Sequence, residues 1–346
     1  MRIPTANTPA ALGYRMPAEW EPHVATWLAW PHNRESWPGK FEPVPSIWGQ
    51  FARILAQNEL VHILAGGPDV MFQAQSMVAL EPNILLHDIP TNDAWMRDLA
   101  PIFLQGPPDQ KRAVVNWVYN AWGGKYPPFD HDQRVPKLLA ELLDCLRFEP
   151  GIVLEGGSID VNGCGTLLTS EQCLLNPNRN PHLDRQQIEG YLADYLGVQH
   201  ILWLGEGIVG DDTDGHVDDL ARFVNPHTVV TVVEEDPADE NYALLQDNLH
   251  RLQSMKDQDG RPLDVVTLPM PRPIYHDDQR LPASYANFYI ANGVVVVPTF
   301  NDPADVVVVD TLQKLFPQRQ IVGIHAVDLV WGLGAFHCIS QQEPQL

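Results

Sequence analysis

The sequence predicts an α/β fold of five repeated strand–strand–helix–strand (ββαβ) units set about an axis, a five-bladed α/β propeller around a central cavity. Three observations predict it. A pattern of short apolar runs recurs at intervals of about 65 residues, and self-similarity of this kind marks repeated architecture. Asn-Gly or Asn-Pro-His turns join the runs, and Asn-Gly between apolar runs favours a hairpin because both residues tolerate positive φ. The runs at 228–233 and 294–297 are β-branched and too short for helices, which fits buried strands.

Two less regular units account for the first half, one using 61–65 with 84–88 and the other 100–104 with 113–119. The third unit runs from 158–163 through 165–169 and Asn176-Pro-Asn to a helix ending near Leu196-Gly197. The fourth has 221–226, 228–233, Asp236-Pro and a helix through Leu244, Leu249 and Leu252. The fifth has Tyr289-Ile-Ala-Asn292-Gly293, 294–298, Asn301-Asp-Pro303 and a helix from Val308 to Phe316. Residues in the turns entering each hairpin then converge on one cavity. No linker or composition shift divides the chain, so 1–346 is expected to act as a single catalytic domain.

The chain carries 44 acidic against 22 basic residues, a formal charge of −22. Such a chain repels nucleic-acid phosphates and anionic membranes, and where the excess gathers in a cleft it favours a cationic partner. The cysteines Cys145, Cys164, Cys173 and Cys338 form no CxxC pair and no zinc-type spacing. The N-terminus lacks a signal-peptide apolar region, and no apolar run approaches the roughly 20 residues that cross a bilayer. The expectation is a cytoplasmic protein with reduced thiols and neither metal nor organic cofactor. A homo-oligomer is left open.

Four segments carry candidate chemistry. Near the end, Trp331-Gly-Leu-Gly-Ala-Phe-His337-Cys338 places a thiol behind a glycine-loosened turn that can aim it into a cavity. Gly210-Asp-Asp212-Thr-Asp214-Gly-His216-Val-Asp218-Asp219 holds five carboxylates and one histidine in ten residues. Read as a strand, it puts His216 and Asp218 on one face. An EF-hand register fails there, with Gly210 at its first ligand position and Ala221 at its twelfth. A transition-metal site at His216 lacks a second histidine at ligand spacing. Asn92-Asp93-Ala-Trp95-Met-Arg97-Asp98 sets a carboxylate beside an indole wall, and Leu154-Glu155-Gly-Gly157 lets a strand bring Glu155 close to other groups. The loop at 120–126 reads as a further cavity-lining turn with no assigned chemistry.

A thiol, an imidazole and at least two carboxylates do not suit acyl transfer, where carboxylates oppose the developing oxyanion. They suit a planar guanidinium, whose N–H donors pair bidentately with carboxylates. Asp98 and Asp218 holding it would set its central carbon beside Cys338. The same charges raise the thiol pKa, so the thiolate gains population when the cationic substrate or a His216 imidazolium is near.

Over nearly its whole length the chain resembles the agmatine deiminase and bacterial (Porphyromonas-type) peptidylarginine deiminase family, within the guanidino-group-modifying pentein superfamily. The resemblance rests on Met16-Pro-Ala-Glu-Trp-Glu-Pro-His23, Trp30-Pro31, Trp95-Met-Arg-Asp98, Trp122-Gly-Gly-Lys-Tyr126, Leu154-Glu-Gly-Gly-Ser158, Asp212-Thr-Asp-Gly-His-Val-Asp218 and His337-Cys-Ile-Ser-Gln-Gln342. It implies a five-bladed propeller, Cys338 as nucleophile, His216 as general acid/base, and Asp98 and Asp218 as guanidinium ligands. It further implies Glu155 beside His216 and Trp95 packed on the substrate chain. One departure is Gly332-Leu333-Gly334-Ala335, where the family carries three glycines and then Asn.

The expected reaction is hydrolysis of agmatine to N-carbamoylputrescine and ammonia through a Cys338 thiouronium, a step toward putrescine, with Asp212 a candidate for the substrate amine. The alternatives are conversion of peptidylarginine to citrulline and a noncatalytic polyamine-binding protein, which would need no thiol. His337 is set aside as the partner of Cys338, because adjacent strand residues face opposite ways.

Overall fold

A computed structural model describes residues 4–78, 81–108 and 110–345. Among the described residues, five of the six sheets share one plan: a first strand runs antiparallel to a second, which runs parallel to a third reached through a helix; the other is the hairpin Tyr275–His276 with Gln279–Arg280. Four three-stranded sheets follow the plan in chain order, starting with Ile102–Leu104, Ala113–Val115 and Leu146–Phe148. The next is Ile159–Val161, Thr166–Ser170 and His200–Leu204. Then come Ala221–Phe223, Thr228–Val233 and Asp264–Pro269, and finally Tyr289–Ala291, Val294–Thr299 and Gln320–His325.

The fifth sheet corrects the sequence reading in two ways. Its order is Gln341–Pro344, His23–Ala29, Leu60–Leu64 and Ile84–His87, so the unit at 61–88 also contains a strand at 23–29 that the sequence reading missed. The C-terminal segment, expected as part of the last unit, instead runs antiparallel to His23–Ala29 and joins the chain's first sheet. An edge strand presents unpaired N–H and C=O groups, and here the tail covers them.

The middle strands are buried on both faces. Val229, Val230 and Val232, like Val295, Val296 and Val297, are fully buried, which is why they read as continuous apolar runs rather than alternating ones. Helices cover the outer faces: Val44–Leu55 turns Trp48, Phe51, Ala52 and Leu55 inward. Local sequence sets their ends. Asp184 and Gln187 form a capping box at the start of Arg185–Leu196, and Gly197, at φ 72°, closes it in the left-handed region. Among the described residues no helix is long and apolar enough to cross a membrane.

Candidate active site

The site is made of turns. Asp98 lies in the short helix Met96–Leu99 before Ile102–Leu104; Glu155 precedes Gly156–Ser158 and the strand Ile159–Val161. Asp218 lies in Val217–Asp219 before Ala221–Phe223, Asn287 stands before Tyr289–Ala291, and Cys338 stands before Gln341–Pro344. Each sheet thus offers one polar residue from the turn that enters its first strand.

Gly157 shows how tightly these turns meet. A Cβ there would lie 2.5 Å from His216 Nδ1 and 3.0 Å from both Asp218 Oδ2 and Asp98 Oδ1. At Gly156 a Cβ would stand 2.2 Å from the Arg97 carbonyl. The two glycines after Glu155 therefore serve close approach. Gly157 also donates its N–H to Asp98 Oδ1 at 2.8 Å, and Trp122 Nε1 donates to Asp98 Oδ2 at 2.9 Å. Burial raises the Asp98 pKa above the usual carboxylate value, with His216 opposing that rise.

His216 does not lie in a strand. It caps the 3-10 turn Val217–Asp219, so the expected shared face arises from the turn instead. Asp211 folds the preceding loop by accepting the N–H groups of Thr213, Gly215 and His216. The His216 ring is buried, with Nδ1 3.8 Å from Asp98 Oδ2 and Nε2 3.9 Å from Glu155 Oε2. Neither nitrogen has a hydrogen-bond partner among the described residues. Burial works against its charge, but the Asp98 carboxylate and other neighbours lift its pKa well above the ordinary imidazole value. Glu155 Oε1 accepts from Arg179 Nε at 2.7 Å while Oε2 is unpartnered. Burial opposes ionisation of Glu155, yet His216 and Arg179 outweigh it and hold its pKa below the usual value.

Cys338 Sγ receives Asn287 Nδ2–H at 3.0 Å and lies 3.7 Å from Asp218 Oδ2. Asn287 Oδ1 accepts the N–H groups of His337 and Cys338, at 3.1 and 3.3 Å, and fixes the nucleophile turn. Burial, then the charges of Asp218, Asp219 and Asp98, push the Cys338 thiol well above its ordinary pKa, the direction expected of a carboxylate ring. In the turn itself, the positive φ falls on Leu333, at 73°, not on a glycine. Gly332 and Gly334 instead give room: a Cβ would lie 2.5 Å from the Trp37 ring and 2.6 Å from the Trp95 ring, respectively.

His337 corrects the sequence reading. Its segment is turn rather than strand, since the strand starts at Gln341, so the alternation argument does not apply. Its ring joins the site by bridging Asp218 Oδ2 at 2.6 Å and Glu19 Oε2 at 2.9 Å. Burial would raise the Asp218 pKa, but the His337 contact lowers it below the usual value. Glu19 in turn meets Arg222 at 2.9 Å and Arg97 at 3.3 Å, and Arg97 reaches Gln342 at 2.6 Å. Arg97 is buried among these groups and makes no surface ion pair with its neighbour Asp98.

Above these residues opens a cavity of about 780 Å³, with Asp98 and Cys338 in its lining. Trp95, Trp122, Tyr119 and Trp331 form aromatic wall, and Trp95 stacks on Trp37 at 5.3 Å. Asp212 lines it too, accepting a short hydrogen bond from Tyr126, together with Asp93 and Asp132, which the sequence reading did not select. Burial raises the Asp132 pKa to about 7. Two residue groups bring ligand atoms close enough for a metal ion: Glu155, Cys173 and His216, and Asp218, Asp219 and Cys338.

The structure thus brings Cys338, His216, Asp98, Asp218 and Glu155 together, with Trp95 and Asp212 on the cavity wall. Sequence reasoning missed Asn287, Trp122, Asp219, His337 and Cys173. Asn287 had a signal, since it holds in the last repeat the place Asp218 holds in the one before. Trp122 sat in the recognised loop, whose backbone takes positive φ at Ala121 and Trp122 (51° and 54°).

Comparison with known proteins accords with this geometry. Residues 15–344 match the family described as Porphyromonas-type peptidyl-arginine deiminase. An agmatine deiminase of Ectopseudomonas mendocina is 38% identical over 361 residues, covering 98% of this chain and 97% of that one. The structure of agmatine deiminase of Enterococcus faecalis superposes with a TM-score of 0.93 at 35% identity, covering 99% of each chain. A C. jejuni agmatine deiminase structure with substrate bound gives 0.87 at 31% identity, covering 96% of each.

Proposed function

The chain belongs to the Porphyromonas-type peptidyl-arginine deiminase family, and on that premise we propose that it hydrolyses agmatine to N-carbamoylputrescine and ammonia. One observation carries the reading: Asp98 and Asp218 converge at Gly157, and the Cys338 sulfur lies 3.7 Å from Asp218. A guanidinium held between two carboxylates presents its carbon to that thiol. The five sheets are read as five blades of a propeller and the whole chain as one catalytic unit.

In the empty site the carboxylates keep Cys338 protonated. Entry of the cationic substrate offsets their charge, the Cys338 thiol releases its proton to water in the cavity that it lines, and the thiolate attacks the guanidinium carbon. The His216 imidazolium, kept charged by Asp98 and Glu155, donates its proton to the leaving nitrogen, and ammonia departs. The remaining S-alkylthiouronium is attacked by water, whose proton His216 takes. Collapse breaks the C–S bond and yields the urea product. Trp95 packs along the substrate's methylenes. Asp93, Asp132 and Asp212 supply negative charge for a free ammonium, which agmatine has and a peptide-bound arginine lacks.

Ammonia release from agmatine, free arginine and an arginine peptide, measured side by side, tests the assignment. Agmatine should be turned over fastest, and Cys338→Ala should lose at least about 10⁴-fold in kcat. Preference for the peptide would overturn the substrate, and an active Cys338→Ala would overturn the mechanism.

A further inference from the structure

We propose that Glu155, Cys173 and His216 form a binding site for a thiophilic divalent cation, Zn²⁺, and that its occupancy switches catalysis off. A carboxylate oxygen, a thiol sulfur and an imidazole nitrogen lie within 4.8 Å of one another, and all three residues are buried. Zinc binds each of these donor types in tetrahedral sites, and three protein ligands leave its fourth position open.

The unfilled bonding capacity points inward. Glu155 Oε2 and both His216 ring nitrogens lack hydrogen-bond partners among the described residues, although burying such groups unpaired is costly. Arg179 holds the other Glu155 oxygen at 2.7 Å and so fixes the direction of the free one. Cys173 is set by Ser170, whose hydroxyl accepts the Cys173 N–H at 3.2 Å at the start of Glu171–Leu174.

Charge also fits. The Glu155 and Asp98 carboxylates and a Cys173 thiolate surround the site, and the Arg179 guanidinium is shared between Glu155 and Asp214, so the site is anionic when a cation enters. The thiol proton leaves as the sulfur–metal bond forms. The substrate cavity reaches as far as Asp98, which lines it and stands 3.8 Å from the buried His216 ring. The second group, Asp218, Asp219 and Cys338, is a poorer site. Its thiol and Asp219 already accept from Asn287 and Asp218 Oδ2 meets His337; Asp218 Oδ1 has no partner among the described residues, but the group contains no imidazole.

A zinc-bound His216 cannot shuttle a proton, so the inhibitory half of the proposal rests on the deiminase reading, whereas metal binding does not. Ammonia release from agmatine is measured at buffered Zn²⁺ concentrations for wild type and Cys173→Ala. Each is compared with its own rate in chelator, and the variant should need at least about tenfold more zinc for half inhibition. Equal sensitivity would overturn the proposal. Zinc-edge X-ray absorption of the loaded wild-type protein tests the site without activity or a variant. It should show one sulfur at about 2.3 Å and imidazole nitrogen at about 2.0–2.1 Å. A sulfur–oxygen shell lacking imidazole would place zinc at Cys338 and overturn the proposal. No turnover of agmatine in chelator would instead count against the deiminase reading and leave the absorption result to decide the metal site.

Discussion

Behind Asp218, buried charges are matched group by group: His337 bridges Asp218 and Glu19, and Glu19 meets Arg97 and Arg222. Across the site, 3.8 Å beyond Asp98, neither ring nitrogen of His216 and only one oxygen of Glu155 has a hydrogen bond among the described residues. Both walls are equally buried. The difference teaches what each is for. An ion-paired network fixes one geometry, here that of the nucleophile turn and of Asp218, whose Oδ1 has no hydrogen-bond partner among the described residues and is left for the guanidinium. An unsaturated imidazole keeps capacity for a proton, and for a metal ion that competes with it.

Exchanging the roles of the two walls is the strongest way to break this contrast. His216→Gln should lower kcat by about 10²–10⁴-fold, the usual range for a lost general acid/base. Its unfolding free energy should fall less than that of Glu19→Gln. Removing the Glu19 charge takes from Arg97 its carboxylate partner, while Arg222 keeps Asp160 and His337 keeps Asp218, and should cost about 3–5 kcal/mol in denaturant unfolding. Comparable losses of stability in the two variants would erase the distinction.

The pH dependence of the same pair sharpens it. Burial opposes ionising Glu19, but Arg222, His337 and Arg97 hold its pKa well below the usual value. Its stabilisation is therefore complete above the unfolded-state carboxylate pKa and is lost as pH falls toward the depressed folded value. Glu19→Gln should flatten that acid limb. An unchanged limb would place acid sensitivity elsewhere.

A smaller effect is expected at Asp98, which joins the two walls. Trp122→Phe removes the indole donor to Asp98 Oδ2, and should lower kcat/KM roughly tenfold or more, since hydrogen bonds to charged groups contribute about 1.5–3 kcal/mol. Smaller still is the cavity mouth. With the Asp132 pKa near 7, its carboxylate ionises as pH rises through that value, and KM for agmatine should fall over the same range. Asp132→Asn should remove that inflection, which steady-state kinetics from below to above neutrality would show.

Much of this arrangement was legible in the linear chain. Hairpins announce themselves locally, through Asn292-Gly293 and the β-branched runs beside it, because turn conformation and strand propensity depend on neighbours in sequence. The turn residues Asp98, Glu155, Asp218 and Cys338 were legible for a related reason. They stand at equivalent places in repeated units, so one plan predicts their meeting. The strand at 23–29 escaped because its first partner is Gln341–Pro344, at the other end of the chain.

What the sequence by itself determined is the repeat, the polar residues Asp98, Glu155, Asp218 and Cys338 in its turns and an anionic set suited to a guanidinium. Only the tertiary structure decided which partner each residue took. His337 was dismissed by strand alternation, yet a turn swings it onto Asp218 and Glu19. Cys173 stood in no recognisable motif until the fold laid it beside His216. The acidic run at 211–219 is divided among a loop, the cavity, Arg179, the nucleophile turn and the guanidinium site. Periodicity and turn chemistry are short-range and written in neighbouring residues. The distances that set pKa values, hydrogen bonds and metal geometry span different repeats, and they exist only once the sheets are assembled.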